Sequence, residues 1–192
     1  MRDTIRLFCT AAIVALLLLL VGIGPSVQAQ ERMTIQANAR GTGTQLGRLY
    51  NVNIIIEQFS TPEDQKALID AFARSGNDGI VDALTRMKPK GRLALTGSVG
   101  NDVKYIREFP SEKGRHFRLV TDRNISFGET RQSARSKDYS LAAIDVTITP
   151  DGKGSGTLLP ACKLKVNKQK EIELEAYQNP WQLINIMVYG SK

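Results

Sequence analysis

The chain has 192 residues, with 26 lysines and arginines against 19 aspartates and glutamates, giving a formal net charge of +7. One histidine and two cysteines exclude multi-histidine metal sites, cysteine-rich zinc sites and a disulfide framework. A moderate positive charge suits anionic surfaces or simply solubility, and no nucleic-acid partner is expected.

Residues 1–29 have the order of a secretory leader. Arg2 and Arg6 precede an apolar run from Leu7 to Gly24, Pro25 breaks any helix, and Val27 and Ala29 stand three and one residues before a cut at Gln30. The alternative is a retained anchor, because the apolar run approaches the roughly 18–20 residues of a spanning helix. Gly22, Gly24 and Pro25 weaken the end of such a helix and favour cleavage. A periplasmic or extracellular chain over 30–192 is then expected, long enough for one domain with its own core. Only Cys162 remains in it, and Leu158, Leu159, Pro160 and Leu164 around it predict burial rather than pairing between chains.

Alternation over residues 33–39 predicts a strand with one wet face, Gly41 to Thr44 a loop, and Leu49 to Phe59 a long β-branched strand. The period changes at Ser60. Thr61, Pro62, Glu63 and Asp64 are helix-start chemistry, and Leu68, Ala71 and Phe72 share a helical face. Ser75, Gly76 and Asn77 punctuate the pattern, which resumes through Ile80, Val81, Leu84 and Met87. A two-helix hairpin over about 61–89 is expected.

Everything after Gly91 reads as strand: 93–96, 103–109, 115–121, 141–149, 157–166, 171–178 and 182–189. Residues 123–138 are polar and aperiodic, as in a long loop. Short connections favour antiparallel neighbours, so the fold class is α+β, mainly antiparallel β, a meander barrel or sandwich of about nine strands. One register can be derived. A loop at Lys168–Lys170 sets Lys165 opposite Glu173 and Lys163 opposite Glu175, a charge ladder worth about 0.2–1 kcal/mol per pair.

Few residues carry chemistry. His116 alternates with Phe117 and is expected in solvent. No Gly-x-Ser-x-Gly elbow occurs, and Gly41, Gly43 and Gly47 precede a strand, not the helix that a dinucleotide loop requires. No catalytic residue, metal site or cofactor is expected. Glu57 shares a face with Ile55 and Phe59, and Arg107 stands between Tyr105 and Phe109. Either both charges line an interior cavity, binding the polar end of an apolar ligand or paired with each other, or they sit at strand ends with their heads in water. Trp181, the only tryptophan, either anchors a ligand at the surface or plugs one end of a barrel. Glu57, Arg107, Tyr105 and Trp181 are therefore the candidate ligand-binding residues.

Three stretches, Val52 to Asp64, Gly156 to Cys162 and Tyr177 to Trp181, resemble a group of uncharacterised secreted bacterial proteins. That resemblance implies an envelope or extracellular location and no activity. Two non-enzymatic functions are expected from the residues: a carrier of a small apolar or amphipathic ligand inside a barrel, or an interaction module binding protein, glycan or membrane surface. The sequence leaves the oligomeric state open.

Overall fold

A computed structural model of the chain describes residues 32–125, 139–177 and 179–190. The leader expected over 1–29 and most of the loop expected over 123–138 lie outside the described residues. The described chain forms β1 (Met33–Arg40), β2 (Leu49–Ile56), α1 (Pro62–Arg86), β3 (Gly91–Leu95), β4 (Asn101–Ser111) and β5 (Gly114–Thr121). It continues through β6 (Leu141–Ile148), β7 (Gly154–Val166), β8 (Ile172–Ala176) and β9 (Trp181–Tyr189).

All pairings are antiparallel, in the order β6-β5-β4-β3-β2-β1-β9-β7-β8, and a further β6–β7 pairing closes the first eight into a barrel. The length of β7 explains the ninth strand. Its first part, Gly154–Cys162, pairs with β6, and its second part, Cys162–Val166, runs past the barrel and pairs with β8. The expected charge register is observed, with Lys163 opposite Glu175 and Lys165 opposite Glu173. The ion pair itself runs diagonally from Lys165 to Glu175, while Lys163 lies 4.5 Å from the Tyr139 ring centre.

Strand alternation builds the barrel core. Ile35, Ala37 and Ala39 of β1, Val52, Ile54 and Ile56 of β2, Phe117 and Leu119 of β5, and Ile144 and Val146 of β6 point inward. An eight-stranded barrel is just narrow enough for such side chains to fill it. Each fully buried valine, leucine, isoleucine or phenylalanine among them contributes about 1.5–3 kcal/mol.

The expected helical hairpin is corrected to a single kinked helix. Ser75 (φ −143°, ψ 18°) and Gly76 (φ 60°, ψ −142°) leave helical geometry, but the chain resumes its helix at once. Glycine tolerates the positive φ without strain, and Gly79 lets the bend close, since a Cβ there would stand 2.3 Å from the Ala71 carbonyl oxygen. Ser75 and Gly76 bend the helix instead of ending it. Both halves of α1 face one target. Leu68, Ile80 and Leu84 pack on the outer face of the barrel against Tyr105, Val120, Leu141, Cys162 and Leu164, forming a second core.

Polar contacts fix the helix. Thr61 Oγ1 accepts from the Asp64 backbone N–H at 3.2 Å, and Asp64 Oδ2 accepts from the Thr61 N–H at 2.8 Å, a complete capping box. The same Asp64 carboxylate pairs with buried Lys90 at 2.9 Å. Asn77, at the kink, accepts the Leu164 N–H at 3.0 Å and ties the bend to the outer part of β7. Cys162 is fully buried, as expected, and burial pushes its thiol up to about 12.

Candidate functional site

The four residues singled out from sequence do not converge. Glu57 follows the end of β2, which stops at Ile56, three residues earlier than expected. Its side chain is 56% exposed, and its ion-pair partner is Arg32 at 4.0 Å, not Arg107. Ile54 and Ile56 face inward, so Ile55 belongs to the outer alternation and Glu57 never enters the interior.

Tyr105 and Arg107 do lie together, also on the outside. A register shift between Val103 and Tyr105 turns the Tyr105 ring out of the barrel and beneath α1, where it is 1% exposed. Burial raises its phenol above the ordinary value, partly offset by the Arg107 guanidinium beside it. Both lie along an outer groove of about 330 Å³ with Phe59, Ser60, Thr61 and Gln65. Trp181 is 1% exposed inside the barrel, its ring 5.4 Å from that of Tyr50, so it fills one end of the barrel. His116 stands on the outer face, half-buried, 5.5 Å from the Phe109 ring and 3.7 Å from the Asp145 carboxylate.

A groove of about 620 Å³ opens elsewhere, across the outer face of β9, β1, β2 and β3. Its polar lining is Gln36, Asn38, Asn51, Asn53 and Asn185, with Thr96 and Ser98 at one edge. The register makes it a grid. Asn38 opposes Asn51, Gln36 opposes Asn53, and Ala94 opposes Asn53 on the other side, where its small side chain leaves the floor open.

Asn185 joins this grid through a bulge. Between Met187, opposite Gln36, and Ile184, opposite Asn38, β9 carries an extra residue, and Asn185 adopts φ 52°. Asparagine enters that left-handed region more readily than most side chains, and a bulge re-aims the residues that follow it. Here it turns Ile186 and Val188 inward and sets Asn185 over the groove. Asn185 Nδ2 donates to Asn38 Oδ1 at 3.0 Å, and Asn38 Nδ2 donates to Asn51 Oδ1 at 2.6 Å. Asn53 Oδ1 is shielded from solvent and accepts no hydrogen bond from the described residues.

Among the described residues no charged side chain lines this groove. Each amide offers two donor hydrogens and an acceptor oxygen. The set therefore recognises neutral groups that both donate and accept, with Met187, Ala94 and Leu95 as apolar contacts. Asparagine is depleted in strands, and that was the available signal: Asn38, Asn51 and Asn53 sit at outward positions of well-formed strands. Sequence reasoning missed it because Asn38 and Asn51 meet only through the β1–β2 register, and Asn185 only through the bulge.

Another groove, of about 440 Å³, holds His116, Asp145, Thr147, Ser155, Thr157 and Gln182. Asp145 is committed to Arg118 by two hydrogen bonds of 2.8 and 2.9 Å, and His116 makes no hydrogen bond to Ser155 or Thr147. Among the described residues no group of three His, Cys, Asp or Glu side chains could hold a metal ion, and no helix is long and apolar enough to cross a membrane.

No protein-family model matches the chain, and neither does any curated protein or solved structure.

Proposed function

We propose that the chain is an exported, non-enzymatic interaction module of the bacterial envelope or extracellular space, and that its amide-lined groove binds a neutral glycan. The observation that carries this reading is the uncharged grid of five amides set by strand register and a bulge. Vicinal hydroxyls present a donor and an acceptor at the spacing of one carboxamide, so paired amides take them without the desolvation cost of a charge. The groove volume lies within the range of about 300–1,000 Å³ typical of small-ligand sites. Binding of the mature chain to immobilised neutral polysaccharides tests the reading. Retention should be abolished by Asn51→Leu, and equal retention of this variant would remove the groove from the function.

A second reading, carriage of an apolar ligand, is supported by a groove of about 450 Å³ at the rim of the barrel. There Tyr50, Leu93, Leu95 and Ile125, which belong to the inner core, reach an opening beside Val99. Native mass spectrometry on the exported chain separates the two. An added mass lost on denaturation favours carriage, whereas a bare mass that gains saccharide favours the amide groove.

A further inference from the structure

We infer that Arg107 is the centre of a second binding site, one for an oxyanion carried on an aromatic or apolar body. Arg107 stands directly opposite Arg118 across β4 and β5. Two like charges in that relation destabilise a sheet. Both guanidinium carbons lie over the same ring, Arg107 at 4.9 Å and Arg118 at 5.4 Å from the centre of Phe109. Arg118 is neutralised. Its Nε and Nη2 hold both oxygens of Asp145, and its Nη1 donates to the Ile172 carbonyl at 2.7 Å.

Two carboxylates beside the groove also have partners. Glu108, which shares the groove with Arg107, receives two hydrogen bonds from Arg115, at 2.8 and 3.1 Å. Asp64, at the start of α1, pairs with Lys90. Among the described residues Arg107 makes no ion pair. It is a half-buried cation beside Tyr105, its guanidinium 4.9 Å from the centre of the Phe109 ring, and it lines the groove of Phe59, Ser60, Thr61 and Gln65.

A planar guanidinium accepts a carboxylate or phosphate through two parallel hydrogen bonds. An oxyanion there would also screen Arg107 from Arg118 and accept a hydrogen bond from Tyr105. Phe59 lines the same groove and stacks on Phe117 at 6.0 Å, so an apolar body attached to the anion would meet an aromatic surface. The site is on β4 and at the start of α1, apart from the amide groove on β9, β1, β2 and β3, and it stands whether or not that groove binds glycan.

Isothermal titration of the mature chain at constant ionic strength tests it, with inorganic phosphate, phenyl phosphate and phenol as the three probes. Saturable binding of a phosphate probe is expected, weakened at least tenfold by Arg107→Gln and partly retained by Arg107→Lys, with unchanged melting temperatures showing that both variants fold. Tighter binding of phenyl phosphate than of phosphate assigns an anion on an aromatic body, and equal binding assigns the oxyanion alone. No saturable binding of either phosphate, or equal affinity in Arg107→Gln, overturns the site. So does binding of phenol as tight as that of phenyl phosphate.

Discussion

Asn38 and Asn51 face each other across β1 and β2, the carboxamide nitrogen of one 2.6 Å from the carboxamide oxygen of the other. The contact orients both amides, and the Asn185 bond to Asn38 extends the arrangement to a third strand. Such an ordered row on the outside of a barrel adds little to stability, because each amide is near solvent and poorly suited to a strand. Its fixed geometry is what a recognition surface requires.

Replacing Asn53 by Val or Thr should therefore stabilise the fold while removing ligand binding. The substitution deletes a shielded acceptor without a partner and raises strand propensity, worth about 0.5–1 kcal/mol. Urea unfolding followed by tryptophan fluorescence checks the gain, since Trp181 is buried in the barrel. A destabilised Asn53→Val variant would mean that the amide has a structural role.

At Asn185 the backbone decides the outcome. Asn185→Gly should preserve the bulge, because glycine accepts φ 52° freely, whereas Asn185→Val should lose about 1–2 kcal/mol. Both should lose the groove's ligand. Denaturant midpoints for the pair separate backbone strain from recognition.

The Asp64 carboxyl links helix capping to acid sensitivity. Burial raises its affinity for a proton, but the hydrogen bond from Lys90, the Thr61 N–H and the Lys90 charge together outweigh that and hold it below the ordinary range. A folded value below the unfolded one contributes stability above the unfolded value, about 3.9, and that contribution is lost as pH falls through the folded value. Asp64→Ala should cost about 3 kcal/mol at neutral pH, because it strands buried Lys90, and should flatten the fall in stability below about pH 4. Unfolding midpoints from pH 2.5 to 7 test both effects.

Cys162 should behave as a reporter of unfolding. Fully buried, with its thiol pushed up to about 12, it should react with a disulfide reagent only as fast as the chain opens. The raised value stabilises the fold below the unfolded thiol's value of about 8.5 and is lost progressively as pH rises above it. Cys162→Ala should weaken that alkaline loss. Rapid labelling in native buffer would contradict the burial.

Much of the architecture could be read from local chemistry. Alternation marked the strands, Thr61 to Asp64 marked the helix start, and the Lys163–Glu175 register followed from the loop at Lys168–Lys170 and the opposed charges. What failed was the choice of face. The barrel carries apolar side chains on both sides, inward as its core and outward where α1 packs, so Tyr105 gives the same local pattern as a residue of the interior. Bulges in β4 and β9 then change the alternation partway along a strand, which no fixed period anticipates. The amide grid was out of reach for a related reason: its members lie on three strands, and only the completed pairing brings them within hydrogen-bond distance.

The most direct measurement is side-chain amide NMR of ¹⁵N-labelled mature chain during titration with a panel of neutral oligosaccharides. Saturable shifts of the Gln36, Asn51, Asn53 and Asn185 NH₂ signals, with the Asn167 amide in the β7–β8 turn unmoved, are the predicted result. If no neutral saccharide moves those four signals, while an apolar ligand moves the rim residues Leu93, Val99 and Ile125, the amide groove is not the binding site and the barrel rim takes its place.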